Sequence, residues 1–125
     1  MSKINKKVLI VEDDKDFLLI LQTKFTSEGF LVFVAENGEK GIEMAESEKP
    51  DLIFSDILMP KMDGLEMAEK VRKLNSNVKI IFLTNIKADA ETEDILKKDN
   101  FEYLIKSELR INDIVKKAKD KLNEG

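Results

Sequence analysis

Residues 8–14 read VLIVEDD, and this segment is the strongest indication of the fold in the sequence. Its first four residues are apolar and mostly β-branched, which is typical of a buried strand. The acidic run Glu12-Asp13-Asp14 follows directly, at the point where a nucleotide-binding α/β fold would have a glycine-rich turn. Because carboxylates repel phosphate and attract cations, this strand end predicts a site for a hard metal ion such as Mg²⁺.

Further short apolar runs recur along the chain, and they are rich in β-branched and aromatic residues. They are Phe30–Val34, Leu52–Phe54, Val78–Leu83 and Phe101–Ile105. Most of the runs are nearly continuous in apolar character, as expected of parallel strands that helices cover on both faces.

Segments with helical periodicity separate these runs. We expect helices over about 15–28, after Asn37-Gly38, around 65–74, around 90–98 and from Ile111 onward. The third is marked by Leu65, Ala68, Val71 and Leu74, and the last by Ile111, Ile114, Val115, Ala118 and Leu122. The βα order, repeated five times, predicts a single α/β domain over residues 1–125 with a doubly wound, five-stranded parallel sheet.

The composition excludes several kinds of site. The 125 residues include no histidine and no cysteine, which excludes a Ser-His-Asp triad, a thiol nucleophile, disulfides and zinc–thiolate sites. A net charge of −4 argues against direct nucleic-acid binding. The N-terminal lysines precede a very short apolar run, too short for a signal peptide or a membrane span, so we expect a cytoplasmic protein without membrane contact.

Polar side chains stand at the carboxyl ends of the predicted strands. Glu12 and Asp13 follow the first, Asp56 the third, Thr84 the fourth and Lys106 the fifth. Ligand sites in such sheets form at this edge. Converging carboxylates without a histidine favour Mg²⁺ as the ligand of this edge. The ammonium of Lys106 is suited to neutralising a phosphoryl oxygen, and the hydroxyl of Thr84 is suited to donating a hydrogen bond. A carboxylate that the metal does not neutralise is a candidate nucleophile that forms an acyl phosphate.

Four segments, in this order, resemble the receiver domain of bacterial two-component response regulators. They are IVEDD at 10–14, DLIFSDILMPKMDG at 51–64, IIFLT at 80–84 and YLIK at 103–106. The resemblance covers nearly the whole chain, and the segment from Asp56 to Leu65 is its most specific part. It implies a CheY-like, flavodoxin-like fold with strand order 2-1-3-4-5.

The resemblance implies a role for each acidic residue at the predicted edge. Asp56 matches the phosphoacceptor. Glu12 and Asp13 match the acidic pair that, with Asp56 and the backbone carbonyl of Leu58, holds Mg²⁺ or Mn²⁺. The expected donor is a partner histidine kinase or histidine phosphotransfer protein, since this chain has no histidine of its own.

The resemblance also implies a switch. Thr84 matches the switch hydroxyl, Lys106 the phosphoryl-binding lysine and Tyr103 the aromatic switch residue that turns inward on phosphorylation. The output is then a change on the face formed by helix 4, strand 5 and helix 5, which binds an output protein or a second copy of the chain. Because no output segment follows Gly125 in this sequence, we expect a stand-alone receiver that acts on another protein; a domain cut from a longer regulator is the alternative. We do not expect a turnover enzyme.

One departure from the family lies next to the lysine, where Ser107 replaces the usual proline and its cis bond. A cis bond before a residue other than proline costs about 3–4 kcal/mol. Either the Lys106–Ser107 bond is trans and the following loop is rebuilt, or a strained cis bond survives because Lys106 must reach the site.

A second departure concerns access to the acceptor. Asn85 is larger than the residue that the family usually has, and the variable positions two after Asp56 and two after Thr84 are the apolar Leu58 and Ile86. Apolar side chains exclude water, so we expect slow hydrolysis of the acyl phosphate.

Two rival functions remain open at this point. One is a phosphorylation-independent interaction module that keeps the fold, which the missing proline and Asn85 favour slightly. The other is a Mg²⁺-dependent phosphohydrolase that uses Asp56, against which stands the lack of a visible substrate-binding insertion.

Overall fold

A computed structural model describes residues 5–85, 89–98 and 101–123 of the chain. The described residues contain five strands: β1 (Lys7–Val11), β2 (Leu31–Ala35), β3 (Leu52–Ser55), β4 (Lys79–Thr84) and β5 (Glu102–Ile105). All of them pair in parallel, and their order across the sheet is β2-β1-β3-β4-β5. This is the predicted doubly wound order, with β1 and β3 adjacent at its centre.

The helices follow the predicted alternation. They are α1 (Lys15–Ser27), α2 (Gly38–Glu48), α3 (Gly64–Leu74), α4 (Ala90–Lys98) and α5 (Ile111–Leu122). The first three begin at side chains that accept hydrogen bonds from first-turn amides, namely Asp14, Asn37 and Asp63. Gly29, with φ of 99°, follows the end of α1 as predicted. None of the helices in the described ranges is long and apolar enough to span a membrane.

Three predicted strands begin one residue too early, at Phe30, Val78 and Phe101, and two of these residues are phenylalanines. The amide of Phe30 donates to Phe25 O at 3.1 Å, and that of Phe101 donates to Leu96 O at 2.7 Å. Both amides therefore close the preceding helix instead of entering the sheet. Their rings are buried, with centroids 5.2 Å from Phe25 and 5.4 Å from Phe82.

The core lies in two layers, one on each face of the sheet. In β1, Val8 and Ile10 pack against α1 and α5, whereas Leu9 and Val11 pack against α2 and α3. This alternation explains why the strand is apolar on both faces.

One residue of the predicted stripe of α3 lies outside the core. Leu74, the last residue of the helix, is 53% exposed. The buried positions of α3 are Gly64, Met67, Ala68 and Val71, so the part of α3 that packs into the core ends before Leu74.

Candidate functional site

Three carboxylates meet at the carboxyl edge of the sheet. Glu12, Asp13 and Asp56 each offer an oxygen, and these oxygens all lie within 4.8 Å of one another. The strand register explains why they meet, because Val11 of β1 pairs with Ser55 of β3. The next residues on the two strands, Glu12 and Asp56, therefore leave the sheet side by side.

Glu12 is the buried member of this group, with only 2% of its surface exposed. Its Oε2 accepts a hydrogen bond from the amide of Asp14 at 3.0 Å, and its Oε1 accepts one from the Lys106 ammonium. Burial raises the pKa of Glu12 above its ordinary value, although these hydrogen bonds oppose the effect. Asp13 is exposed and Asp56 is partly exposed, so an approaching ligand reaches these two carboxylates from solvent.

Lys106 forms ion pairs with the carboxylates that follow β1 and β3. Its Nζ lies 3.2 Å from Asp56 Oδ2 and also donates to Glu12 Oε1. Burial alone would lower the pKa of Lys106, but hydrogen bonds and charges from the two carboxylates outweigh it and raise the pKa above its ordinary value. The lysine therefore stays a cation in the site.

The Lys106–Ser107 peptide bond decides between the two alternatives that the sequence left open, a trans bond with a rebuilt loop or a strained cis bond. No peptide bond among the described residues is cis, so this bond is trans. A short 3₁₀ turn over Lys106–Glu108 follows β5, and the amide of Leu109 donates to Lys106 O at 3.3 Å. The rebuilt loop still brings the lysine ammonium to Asp56.

The loop between β3 and α3 holds the Asp56 backbone in place. Ser55 Oγ donates to Asp56 O at 2.8 Å, and the amide of Gly64 donates to Ile57 O at 2.7 Å. Asp63 then begins α3 by accepting from the amide of Glu66 at 2.8 Å. Within this loop Leu58 is 57% exposed, so its side chain faces solvent two residues after Asp56.

Thr84 and Tyr103 occupy neighbouring strands, as predicted. Thr84 is buried at the end of β4, opposite Ile105 of β5. Tyr103 is half-buried, and its hydroxyl donates to Glu93 Oε1 of α4 at 3.1 Å. The aromatic residue of β5 is therefore linked to α4.

The access-modulating residues lie at the rim or beyond the described ranges. Asn85 is exposed just after β4. Ile86 lies outside the described residues, so its part of the prediction stays untested. The predicted narrowing by Asn85 and shielding by Leu58 also remain predictions.

Sequence reasoning missed one contact in the site. The Lys106 ammonium lies 4.7 Å from the centroid of the Phe17 ring, at a distance typical of a cation–π contact. Phe17 stands in the first turn of α1, three residues after the helix cap Asp14. The position of Phe17 after the acidic run is visible in the sequence, but its partner Lys106 is 89 positions away along the chain and no local pattern reveals the contact.

The donor set fits a small divalent cation. Three carboxylates and one ammonium leave a net negative charge, and all of the candidate ligands are oxygens, as Mg²⁺ prefers. The same ammonium is suited to pairing with a phosphoryl oxygen. The site can therefore hold a divalent metal ion and an oxyanion next to the partly exposed carboxylate of Asp56.

Comparison with known proteins gives the same family that the sequence motifs resemble. The family model described as the response regulator receiver domain matches residues 8–119. A crystal structure of a CheY-like receiver domain protein from Methanospirillum hungatei is 31% identical, with a TM-score of 0.88 over 96% of this chain and 95% of that one. A two-component response regulator from Clostridium difficile is 30% identical, with a TM-score of 0.87 over 96% of this chain and 98% of that one.

Curated relatives are similar over part of their length. Sporulation initiation phosphotransferase F of Bacillus subtilis is 33% identical over 65% of each chain. The alkaline phosphatase synthesis transcriptional regulatory protein PhoP of Bacillus subtilis is 38% identical over 65% of this chain, which corresponds to only 34% of that protein. The match thus spans from about a third to about two thirds of these two relatives.

Proposed function

Because the chain belongs to the family of response regulator receiver domains, we propose that it receives a phosphoryl group on Asp56 from the phosphohistidine of a partner kinase or phosphotransfer protein. The observation that carries this proposal is the position of Asp56 Oδ2, 3.2 Å from the Lys106 ammonium and beside Glu12 and Asp13. A carboxylate in that position has a cation ready for the incoming phosphoryl oxygens.

The transfer is a displacement at phosphorus. A carboxylate oxygen of Asp56 forms the new O–P bond while the P–N bond of the donor phosphohistidine breaks, and the electron pair leaves with the imidazole nitrogen. Lys106 pairs with an oxygen of the transferred group, and Thr84 is placed on the neighbouring strand to donate to another.

The acidic residues have a separate task. Glu12, Asp13 and Asp56, with the backbone carbonyl of Leu58, would hold Mg²⁺ or Mn²⁺. The bound metal would supply positive charge against the phosphoryl oxygens, which otherwise meet a negatively charged site. Both carboxylate oxygens of Glu12 already accept hydrogen bonds, from the Asp14 amide and the Lys106 ammonium, whereas Asp13 and Asp56 are open to solvent. Asp13 and Asp56 are therefore the better placed direct ligands.

Phosphorylation then alters a two-state equilibrium. It adds about −1.5 to −2 charges at Asp56. We expect Thr84 to move toward these charges and Tyr103 to change its contact with Glu93 of α4. The affected face consists of α4, β5 and α5, and its change would recruit an output protein or a second copy of this chain. Because the donor is a signalling kinase, we place the protein in the cytoplasm.

Intact-protein mass spectrometry tests the chemistry. The protein is incubated with acetyl phosphate and Mg²⁺, and we expect one phosphoryl adduct that disappears in Asp56→Asn. Asp51→Asn, at the opposite end of β3, is the matched control and should retain the adduct. An unmodified wild-type protein would favour the phosphorylation-independent interaction module. Multiple turnovers of a phosphate ester would favour the phosphohydrolase.

A further inference from the structure

We infer that Phe17 is a positioning residue that holds the Lys106 ammonium over the phosphoacceptor carboxylate. The inference rests on the proposed function, in which Lys106 pairs with a phosphoryl oxygen. It goes beyond that function because it adds Phe17 of α1, a residue outside the matched motifs, to the site around Asp56.

The side chain of Lys106 must reach from the end of β5 to Asp56 at the end of β3, two strands away. Lys106 follows β5 at the edge of the sheet, whereas Asp56 follows β3 and Glu12 follows β1, so the side chain passes across the end of β4. A lysine side chain has four flexible bonds, and ordering it is entropically unfavourable unless neighbours restrict it. The trans bond to Ser107 shows that this chain places the lysine without the cis peptide bond expected in the family.

Phe17 provides such a restriction. Its ring centroid lies 4.7 Å from Lys106 Nζ, while two carboxylates bind the same ammonium. The Lys106 side chain is only 11% exposed, and a cation–π contact strengthens as water is excluded. The aromatic face attracts the cation without competing for its hydrogen-bond donors, so these remain available for the carboxylates or a phosphoryl oxygen.

The loop between β1 and α1 fixes the position of the ring. The amide of Phe17 donates to Asp14 Oδ1 at 3.3 Å, and the amide of Asp14 donates to Glu12 Oε2 at 3.0 Å. Phe17 also packs against the core layer that contains Leu18 and Ile114. The same short loop therefore orders both Glu12 and the ring that contacts the lysine.

The first measurement is the phosphorylation rate with acetyl phosphate and Mg²⁺. Phe17→Leu keeps an apolar side chain but removes the π face, and we expect the rate to fall about 3- to 30-fold, the range for a cation–π contact from partly to fully desolvated. Phe17→Tyr keeps the face and should restore a rate close to that of the wild type. Phe33→Leu changes a half-buried phenylalanine of β2 in the opposite core layer, and should leave the rate near the wild-type value.

The second measurement does not depend on phosphorylation. The ring current of Phe17 should shift the NMR signals of the Lys106 ε-methylene protons upfield, and this shift should disappear in Phe17→Leu and persist in Phe17→Tyr. Lys106 signals that do not change in Phe17→Leu would overturn the inference. An equal loss of rate in Phe17→Leu and Phe17→Tyr would also overturn it, since packing alone would then explain the effect.

The two proposals fail in different ways. If the wild-type protein takes up no phosphoryl group but the Lys106 signals move in Phe17→Leu, the proposed function is wrong and the placement of the lysine by Phe17 is supported. If the wild-type protein is phosphorylated and Phe17→Leu reacts at the same rate, the proposed function is supported and the role of Phe17 is wrong.

Discussion

Gly64 lies against the backbone carbonyl of Asp56, so close that a Cβ at position 64 would be 2.1 Å from that oxygen. The same Cβ would lie 3.1 Å from Asp56 C and from Ile57 Cα, so its three nearest neighbours would all be backbone atoms. Asp56 and the first residue of α3 are therefore in direct contact, and the geometry of the site depends on the absence of a side chain at position 64.

Gly64→Ala should damage both stability and the site. The loop must move to admit the methyl group, and we expect a loss of about 1–3 kcal/mol in the free energy of unfolding, as for other overpacked positions. Urea denaturation measures this loss, and the phosphorylation rate should fall with it. Gly38→Ala is the control, because the three atoms nearest its Cβ would be Met62 side-chain atoms at 3.1–3.2 Å, a contact that a shift of a few tenths of an ångström relieves. An equal loss in both variants would contradict the argument.

Lys49→Gly should stabilise the protein. Lys49 ends α2 with φ of 50° and ψ of 63°, in the left-handed region that disfavours side chains with a Cβ. Glycine there should raise the free energy of unfolding by about 0.5–1 kcal/mol. Glu43→Gly, on the exposed face of the same helix, should lower it by about 1 kcal/mol, since helical backbone disfavours glycine. Thermal unfolding of the two variants should shift in opposite directions.

Glu28 should make stability depend on acidic pH. Hydrogen bonds from Lys119, at 2.8 Å, and from Lys24 lower the pKa of Glu28 below its ordinary value. A carboxylate with a lowered pKa stabilises the folded state above its unfolded-state pKa, and this contribution is lost as the pH falls through its folded-state pKa. Glu28→Gln should therefore show a smaller loss of stability on acidification below about pH 4.5, the ordinary glutamate pKa. Urea denaturation across this pH range measures it, and Glu43→Gln should follow the wild type.

Leu58→Asn should shorten the lifetime of the phosphorylated protein. Leu58 is two residues after the acceptor and 57% exposed, and an amide in its place can hydrogen-bond and orient an attacking water. We expect hydrolysis of the acyl phosphate to be several-fold faster, measured as the decay of the adduct by mass spectrometry. Leu74→Asn changes a leucine of similar exposure at the far end of α3, and its adduct should decay at the wild-type rate. Equal decay in all three proteins would rule out shielding by Leu58.

The sequence predicted the alternation of strands and helices because local signals carry it. The helix caps Asp14, Asn37 and Asp63 act on amides two or three residues away, and the apolar runs report burial on both faces of a parallel sheet. The errors at Phe30 and Phe101 arose because an aromatic residue beside a strand is equally suited to packing on a ring outside it.

Local patterns were enough to predict which residues stand at the carboxyl end of each strand, and hence a shared edge for Glu12, Asp13, Asp56, Thr84 and Lys106. How these side chains contact one another is visible only in the folded chain. The tertiary structure brings Lys106 to Asp56 through a trans peptide bond, sets Phe17 beneath the ammonium and joins Tyr103 to Glu93. The physical reason is distance along the chain: strand periodicity and helix caps act between near neighbours, whereas the path of a flexible lysine depends on side chains that only folding brings together.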